Sequence, residues 1–349
     1  MPTLKAEDIP DLVYGTLEKY GKPKFSQIAQ KLTEYEVMPR WFKKDKVVVD
    51  SGYGIRESLM TKLSGSWRHV GLFERDSVNV VDLMSQINLR WAHGTANYAF
   101  EYREVLMNSG AQQIYKLLNP RRGACMLDVA QGLEDDAFTL PAPGDKKSPY
   151  GVPYWIVSSE TQGFNGKRPS GYTTVGGIDP DSVEGWRNWT DAYVSRVKAD
   201  VIRRMRKAKR NTKWKSPVNV KDARDPNVNR YSVYCNENVI SDLEELGENQ
   251  NENLGRDLGA GTSNITFKGH PIIYLPVLDS RTDDPIYMLN HDTFYPVVLK
   301  GDWLRESKPK ALDGSPDGQH NTFVTHIDCS YNYLCIDRRR NAVIVKKAA

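Results

Sequence analysis

Residues Phe323–Cys335 alternate without interruption, and no other stretch constrains this 349-residue chain as tightly. Phe323, Thr325, Ile327, Cys329, Tyr331, Tyr333 and Cys335 fall on one side; His326, Asp328, Ser330 and Asn332 fall on the other. A period of two is the signature of a β-strand, and at ~3.3 Å per residue this one is roughly 40 Å long. Strands in globular domains usually run to about five or six residues. Few single-domain strands are so long, and one of this length fits an elongated body.

Upstream, residues 264–307 read as short strands joined by tight turns. Thr266-Phe267 passes through Lys268-Gly269 into Pro271–Leu278, where Ile272, Ile273, Tyr274, Leu275 and Val277 are β-branched or apolar. Asp279–Asp284 is polar throughout and predicts a turn; Pro285–Leu289 and Phe294–Leu299 predict two more strands. Before them stand a strand at Tyr231–Cys235 and a helix at Asn236–Gln250. Asn236 is the N-cap of that helix, and Val239, Ile240, Leu243 and Leu246 share one face. Asn341–Lys346 predicts a last short strand.

The N-terminal half is less regular. Residues 1–45 are polar, with helical patches at Ile9–Tyr20 and Phe25–Leu32. A strand starting at Lys46–Asp50 breaks at Ser51-Gly52-Tyr53-Gly54. The chain then makes a polar excursion carrying Trp67, Arg68, Phe73 and Arg75, and returns through Ser77–Leu83 and Ile87–Trp91. Long excursions of this kind are usually functional or interfacial. Tyr102–Leu118 has helical spacing, and Asn119-Pro120 predicts a kink or a restart before a second helix through Ala137, which carries the acidic Glu134-Asp135-Asp136 near its end. Residues 139–190 are rich in Gly and Pro but carry neither a dinucleotide fingerprint nor a phosphate-loop motif, since Gly166-Lys167 is followed by Arg168.

Trp189–Arg210 reads as a basic amphipathic helix. Its apolar stripe is Tyr193, Val194, Val197, Val201, Ile202 and Met205; its charge is Arg203, Arg204, Arg206, Lys207, Lys209 and Arg210. Two uses fit that cluster: sequence-independent contact with nucleic-acid phosphates, or pairing with an acidic run such as Asp242–Glu248 on this or another subunit. No arrangement of the six histidines and four cysteines has metal-ligand spacing, and no nucleophile motif is present, so neither a catalytic nor a metal site is expected. The near neighbours His291/Asp292 and His326/Asp328 are of a kind that arises by chance.

Composition agrees with a structural role. Apolar residues make up 39% of the chain, and mean hydropathy is −0.58. With 26 Gly, 19 Pro and 18 Tyr, this favours a loop-rich subunit that buries surface against neighbours. The net charge of +4 is too small to establish nucleic-acid binding. No signal peptide or membrane span is apparent, and the dispersed cysteines predict a reduced protein.

The order of these elements resembles the major capsid protein of tailed bacteriophages, an α+β subunit of the Hong Kong 97 fold that encapsulin shells share. The segments that carry the resemblance are YSVYCNENVISDLEELG, KGHPIIYLPVLDS with DPIYMLN, and FVTHIDCSYNYLCIDRRRNAVIVK. It implies an N-terminal arm (1–45) and an extended β-hairpin loop (46–100) whose Trp67, Arg68, Phe73 and Arg75 touch an adjacent subunit. It further implies a spine helix with peripheral-domain parts and a Gly/Pro-rich insertion (101–188), a mainly axial domain (189–320), and a strand returning to the peripheral domain (321–349). The function implied is self-assembly into hexamers and pentamers of an icosahedral shell around double-stranded DNA, without a cofactor. Partners would be copies of itself, scaffolding, cement and portal proteins, and DNA held non-specifically through Arg203, Arg204, Arg206, Lys207, Lys209 and Arg210. The place implied is the virion capsid, assembled in the host cytoplasm, with no membrane. Lys62 stands where some members carry a cross-linking lysine, but no acceptor context accompanies it. The alternatives are an encapsulin-type shell and a soluble DNA-binding protein led by the 189–210 helix.

Overall fold

In the computed structural model the alternating segment is one continuous strand, Thr322–Cys335. The structure describes residues 35–72, 82–107, 111–194, 200–214, 230–248, 266–312 and 321–347. The helical patches expected at Ile9–Tyr20 and Phe25–Leu32 lie outside them. The chain runs through β1 (Val47–Val49), β2 (Ile55–Met60), β3 (Met84–Leu89) and β4 (Ala92–Glu101) to the long helix α1 (Ala111–Phe138). Next come β5 (Gly163–Gly166), β6 (Asn188–Tyr193), α2 (Asp200–Thr212), β7 (Tyr231–Cys235) and α3 (Glu237–Glu248). The strands β8 (Thr266–Phe267), β9 (His270–Tyr274), β10 (Ile286–Asn290) and β11 (Phe294–Leu299) follow. Finally come β12 (Arg305–Glu306), β13 (Lys310–Ala311), β14 (Thr322–Cys335) and β15 (Ala342–Lys346).

β14 reaches its length because both edges are paired. β4 runs antiparallel to it from Thr322↔Glu101 to Tyr331↔Ala92. On the other edge β11, β12 and β13 succeed one another, opposite Cys335–Tyr331, Asp328–Ile327 and Val324–Phe323. The polar side of its C-terminal half is buried as well. Asn332 accepts from the Tyr150 amide at 2.9 Å and donates to the Arg90 carbonyl at 2.7 Å, while Ser330 bonds Asp302 and, at 2.7 Å, His93. The Gly/Pro-rich region reaches this face through Tyr150, beside Arg90, His93 and Asp302.

A seven-stranded sheet, ordered β5-β6-β15-β10-β7-β9-β8, forms the second body. The last strand, β15, lies inside it, parallel to β6 and antiparallel to β10. Alternation sorts its side chains cleanly. Val233, Cys235, Ile286, Met288, Ala342 and Ile344 pack with α2 and α3; Tyr234, Tyr287, Leu289, Val343 and Val345 pack toward the end of α1. The turn joining β8 to β9 has positive φ at both Lys268 (54°) and Gly269 (83°), as a type I′ hairpin requires. The Asn236 side chain caps α3 by accepting from the Val239 amide at 3.1 Å.

Three sequence expectations are corrected. The start of the helix expected from Trp189 is instead strand β6, Asn188–Tyr193, with all six residues buried, and the described helix is Asp200–Thr212. The apolar residues of β6 have helical spacing by coincidence; pairing on both edges and burial on both faces override it. The restart expected as one alternative at Pro120 does not occur: one helix, Ala111–Phe138, runs through the proline. An interior proline costs about 3 kcal/mol. Beside it, Arg121 ties the helix down through the Glu104 carboxylate at 2.8 and 3.0 Å and the Ala99 carbonyl at 3.0 Å. The strand expected through Leu278 stops at Tyr274, and Pro276–Ser280 turns as a 3₁₀ helix.

The π-helical turn Val37–Asp45 carries side chains into the main core. Trp41 lies among the rings of Phe138, Tyr234, His291, Phe294 and Tyr333 at 5.4–6.0 Å and donates to the Tyr234 hydroxyl at 2.9 Å. Glu134 of α1 fixes the same turn by accepting from the Val37 amide at 2.9 Å, while its other oxygen is buried without a partner. Burial pushes this carboxyl up to about 7, against the pull of the Val37 amide and with help from the nearby Glu36. The folded protein therefore holds a proton that the unfolded chain releases near pH 4.5. The stability contributed at Glu134 falls as pH rises from about 4.5 to 7 and is flat above, a change of at most about 3 kcal/mol. Denaturant unfolding across pH 4.5–8 is expected to show that slope in the native chain and a shallower one in Glu134→Gln. Equal slopes in both would refute it.

Candidate functional site

Two surfaces stand out. The first is the ribbon of β2 and β3, paired antiparallel from Ile55↔Leu89 to Met60↔Met84 and hydrogen-bonded to no other strand. Its base is anchored, since Ile55, Ile87 and Leu89 are buried in the main core. Its tip is not. Leu63 is 81% exposed, Trp67 82%, Val70 58% and Leu72 94%, and Trp67 makes its ring contact with His69 at 4.7 Å. Arg68 is exposed on the same tip, whereas Phe73 and Arg75 lie outside the described residues. Contiguous apolar side chains in water mark an interaction surface, each gaining about 1.5–3 kcal/mol when covered.

The second surface is the basic face of α2, and the structure divides the six cations expected there. Arg204 is held within the subunit, donating to Asp191 at 2.9 Å and to Asp200 at 3.1 Å. Lys207 donates to the side-chain carbonyl of Gln162. Arg203, Arg206, Lys209 and Arg210 instead face a groove of ≈ 750 Å³. Lys213 and Lys268 complete its rim, and Trp214 and Phe267 form its floor. Burial, and then Lys268, push the Lys209 ammonium down. Burial, with Lys209 adding to it, pushes His270 down to about 4, so that ring is neutral at physiological pH.

Compared with solved structures, the chain superposes on the cyanophage A-1(L) capsid asymmetric unit with a TM-score of 0.62, 14% identity and coverage of 91% of this chain and 94% of that one. Against the capsid of the native GTA particle the TM-score is 0.57, with 11% identity and coverage of 94% and 96%. Against Mycobacterium phage Bobi it is 0.54, with 10% identity and 100% of both chains covered. The chain has the tailed-phage capsid fold. No protein-family profile and no curated protein matches the sequence. The resemblance would make the β2–β3 ribbon the extended loop, α1 the spine helix, the sheet around β14 the peripheral domain and the seven-stranded sheet the axial domain.

The near-neighbour pair His291/Asp292 is split by its packing. His291 is fully buried and bonds the Tyr234 hydroxyl at 2.9 Å, whereas Asp292 pairs with Arg230 at 2.5 Å, so the two form no dyad. Gly166 is needed for close approach, because a Cβ there would lie 2.1 Å from the Asn188 side chain. Sequence reasoning missed Arg338, which is wholly buried yet bonded to neutral groups around that contact. In the sequence it is one of three consecutive arginines, and nothing local separates it from its exposed neighbour Arg339. Lys213, Trp214, Phe267 and Lys268 were also missed, since the groove joins segments more than fifty residues apart.

Proposed function

We propose that this chain is the major capsid protein of a tailed bacteriophage, assembling into hexamers and pentamers of an icosahedral shell around double-stranded DNA. The observation that carries the reading is the extended loop. In a capsid fold it presents Leu63, Trp67, Val70 and Leu72 to solvent, and a neighbouring subunit supplies the missing cover. Each contact is modest, but closure of a shell makes many act together, so weak interfaces hold a stable container. Scaffolding, portal and cement proteins are separate chains in this reading, and assembly takes place in the host cytoplasm.

An encapsulin-type shell shares the fold and differs in its contents. A soluble DNA-binding protein led by the basic helix is less well supported, because Arg204 and Lys207 are engaged within the subunit. Sedimentation velocity of the full chain from expressing cells tests the reading. Particles far heavier than a hexamer, with nucleic acid inside that resists nuclease, are the expected result. Empty or enzyme-filled particles would favour the encapsulin reading, and a small oligomer under all conditions would exclude both shells.

A further inference from the structure

The groove on the axial domain has the chemistry of an anion site, and its shape narrows the ligand. Arg203, Arg206 and Arg210 are spaced i, i+3 and i+7, which puts them on one face of α2 over about 10 Å. Lys268 approaches from the β8–β9 turn, and Lys213 from the residue after α2. No described carboxylate pairs with Arg203, Arg206, Lys209, Arg210, Lys213 or Lys268, so their mutual repulsion stands uncompensated among the described residues.

The floor argues against reading of bases. Trp214 and Phe267 are nearly fully buried. Trp214 is stacked on Tyr231 at 4.9 Å and meets His270 edge-on at 4.8 Å, so its ring is already engaged. An aromatic platform for nucleic acid needs a free face. A duplex is also too wide to enter such a cleft and would lie across its mouth. The volume instead suits a small ligand, within the usual range of about 300–1,000 Å³.

We propose that this groove binds an oligophosphate, three or more linked phosphates as in short polyphosphate or the tail of a nucleoside triphosphate. Arg206 and Arg210 on one wall and Lys268 on the other clamp the chain of phosphates, and guanidinium groups supply the bidentate hydrogen bonds that phosphate oxygens accept. The bound anion removes the repulsion between the walls and so stabilises the axial domain. The inference rests on the groove alone and does not need the shell reading.

The test is isothermal titration calorimetry of sodium tripolyphosphate into the full chain at about 0.15 M salt, where loose surface attraction is largely screened. The expected result is saturable binding of one anion per chain, accompanied by a rise in melting temperature. ATP should bind within a few-fold of tripolyphosphate, because its base gains no stacking. The double variant Arg206→Gln/Lys268→Gln should weaken binding at least tenfold, while Lys62→Gln on the extended loop leaves it unchanged. Far-UV circular dichroism confirms that each variant is folded, and Arg210→Gln alone serves if the double variant is not. Three results would each overturn the proposal: unsaturable binding, affinity unchanged in the folded groove variants, or displacement of tripolyphosphate by equimolar short duplex DNA. Failure of the native chain to bind tripolyphosphate while its shells form would refute the groove alone, and binding by a native chain that forms no shells would refute the shell alone.

Discussion

Arg338→Met is expected to lose about 3–5 kcal/mol of stability, the range for stranding buried polar partners of a charge. Arg338 is 0% exposed. It donates to the carbonyls of Trp155 at 2.6 Å, Trp186 at 2.5 Å and Gly166 at 3.1 Å, and to the Asn188 side chain at 3.1 Å. No carboxylate takes part. Burial lowers its guanidinium only to about 10, so it remains charged at neutral pH. Methionine keeps much of the volume but takes this donor from three buried main-chain carbonyls, at about 1–3 kcal/mol each before relaxation, while the Asn188 oxygen keeps the Val157 amide. Lysine keeps the charge but cannot fork to all four acceptors, so Arg338→Lys should rescue only part of the loss. Thermal unfolding should show a drop on the order of 10 °C for methionine. A drop of under about 2 °C would mean that these carbonyls find other donors, and would contradict the role given to Arg338.

Replacing Leu63, Trp67, Val70 and Leu72 together by serine is expected to abolish assembly while leaving the subunit folded. All four are exposed, so the isolated subunit gains nothing from them. At an interface they contribute several kcal/mol per loop, and a shell multiplies that deficit over every copy. The variant should melt within about 2 °C of the native subunit, since surface changes of this kind usually stay within about 0.5 kcal/mol. Sedimentation should find no large particles. Normal shells from the variant would show that the tip is not an assembly contact.

What could be read from the sequence follows from the range of the interactions. β14, β7, β11 and the capped start of α3 were legible because alternation, turn chemistry and an N-cap are written within a few residues of where they act. β6 was misread as helix because its fate is set by β15, which lies about 150 residues away in the chain and pairs with it from Ala342↔Trp189 to Lys346↔Tyr193. The role of Trp41 was hidden for a similar reason. Nothing within the segment VMPRWFKKD marks it as the centre of a core, and the five aromatic rings that enclose it come from α1, β7, the β10–β11 connection, β11 and β14. The basic cluster was visible as charge, but its division into clamped and open members was not. That depends on Gln162 and Asp191, whose placement follows from the β5–β6 pairing. The exposed β2–β3 excursion was legible, since a polar stretch between two β arms has little to bury within its own subunit.

The shell itself is tested most directly by electron microscopy of the purified full chain, alone and with candidate scaffolding proteins. Closed shells, tubes or hexameric capsomers are expected, with the extended loop of each subunit lying on its neighbour. A homogeneous 39.6 kDa monomer under every condition, with and without those scaffolding proteins, would contradict the account.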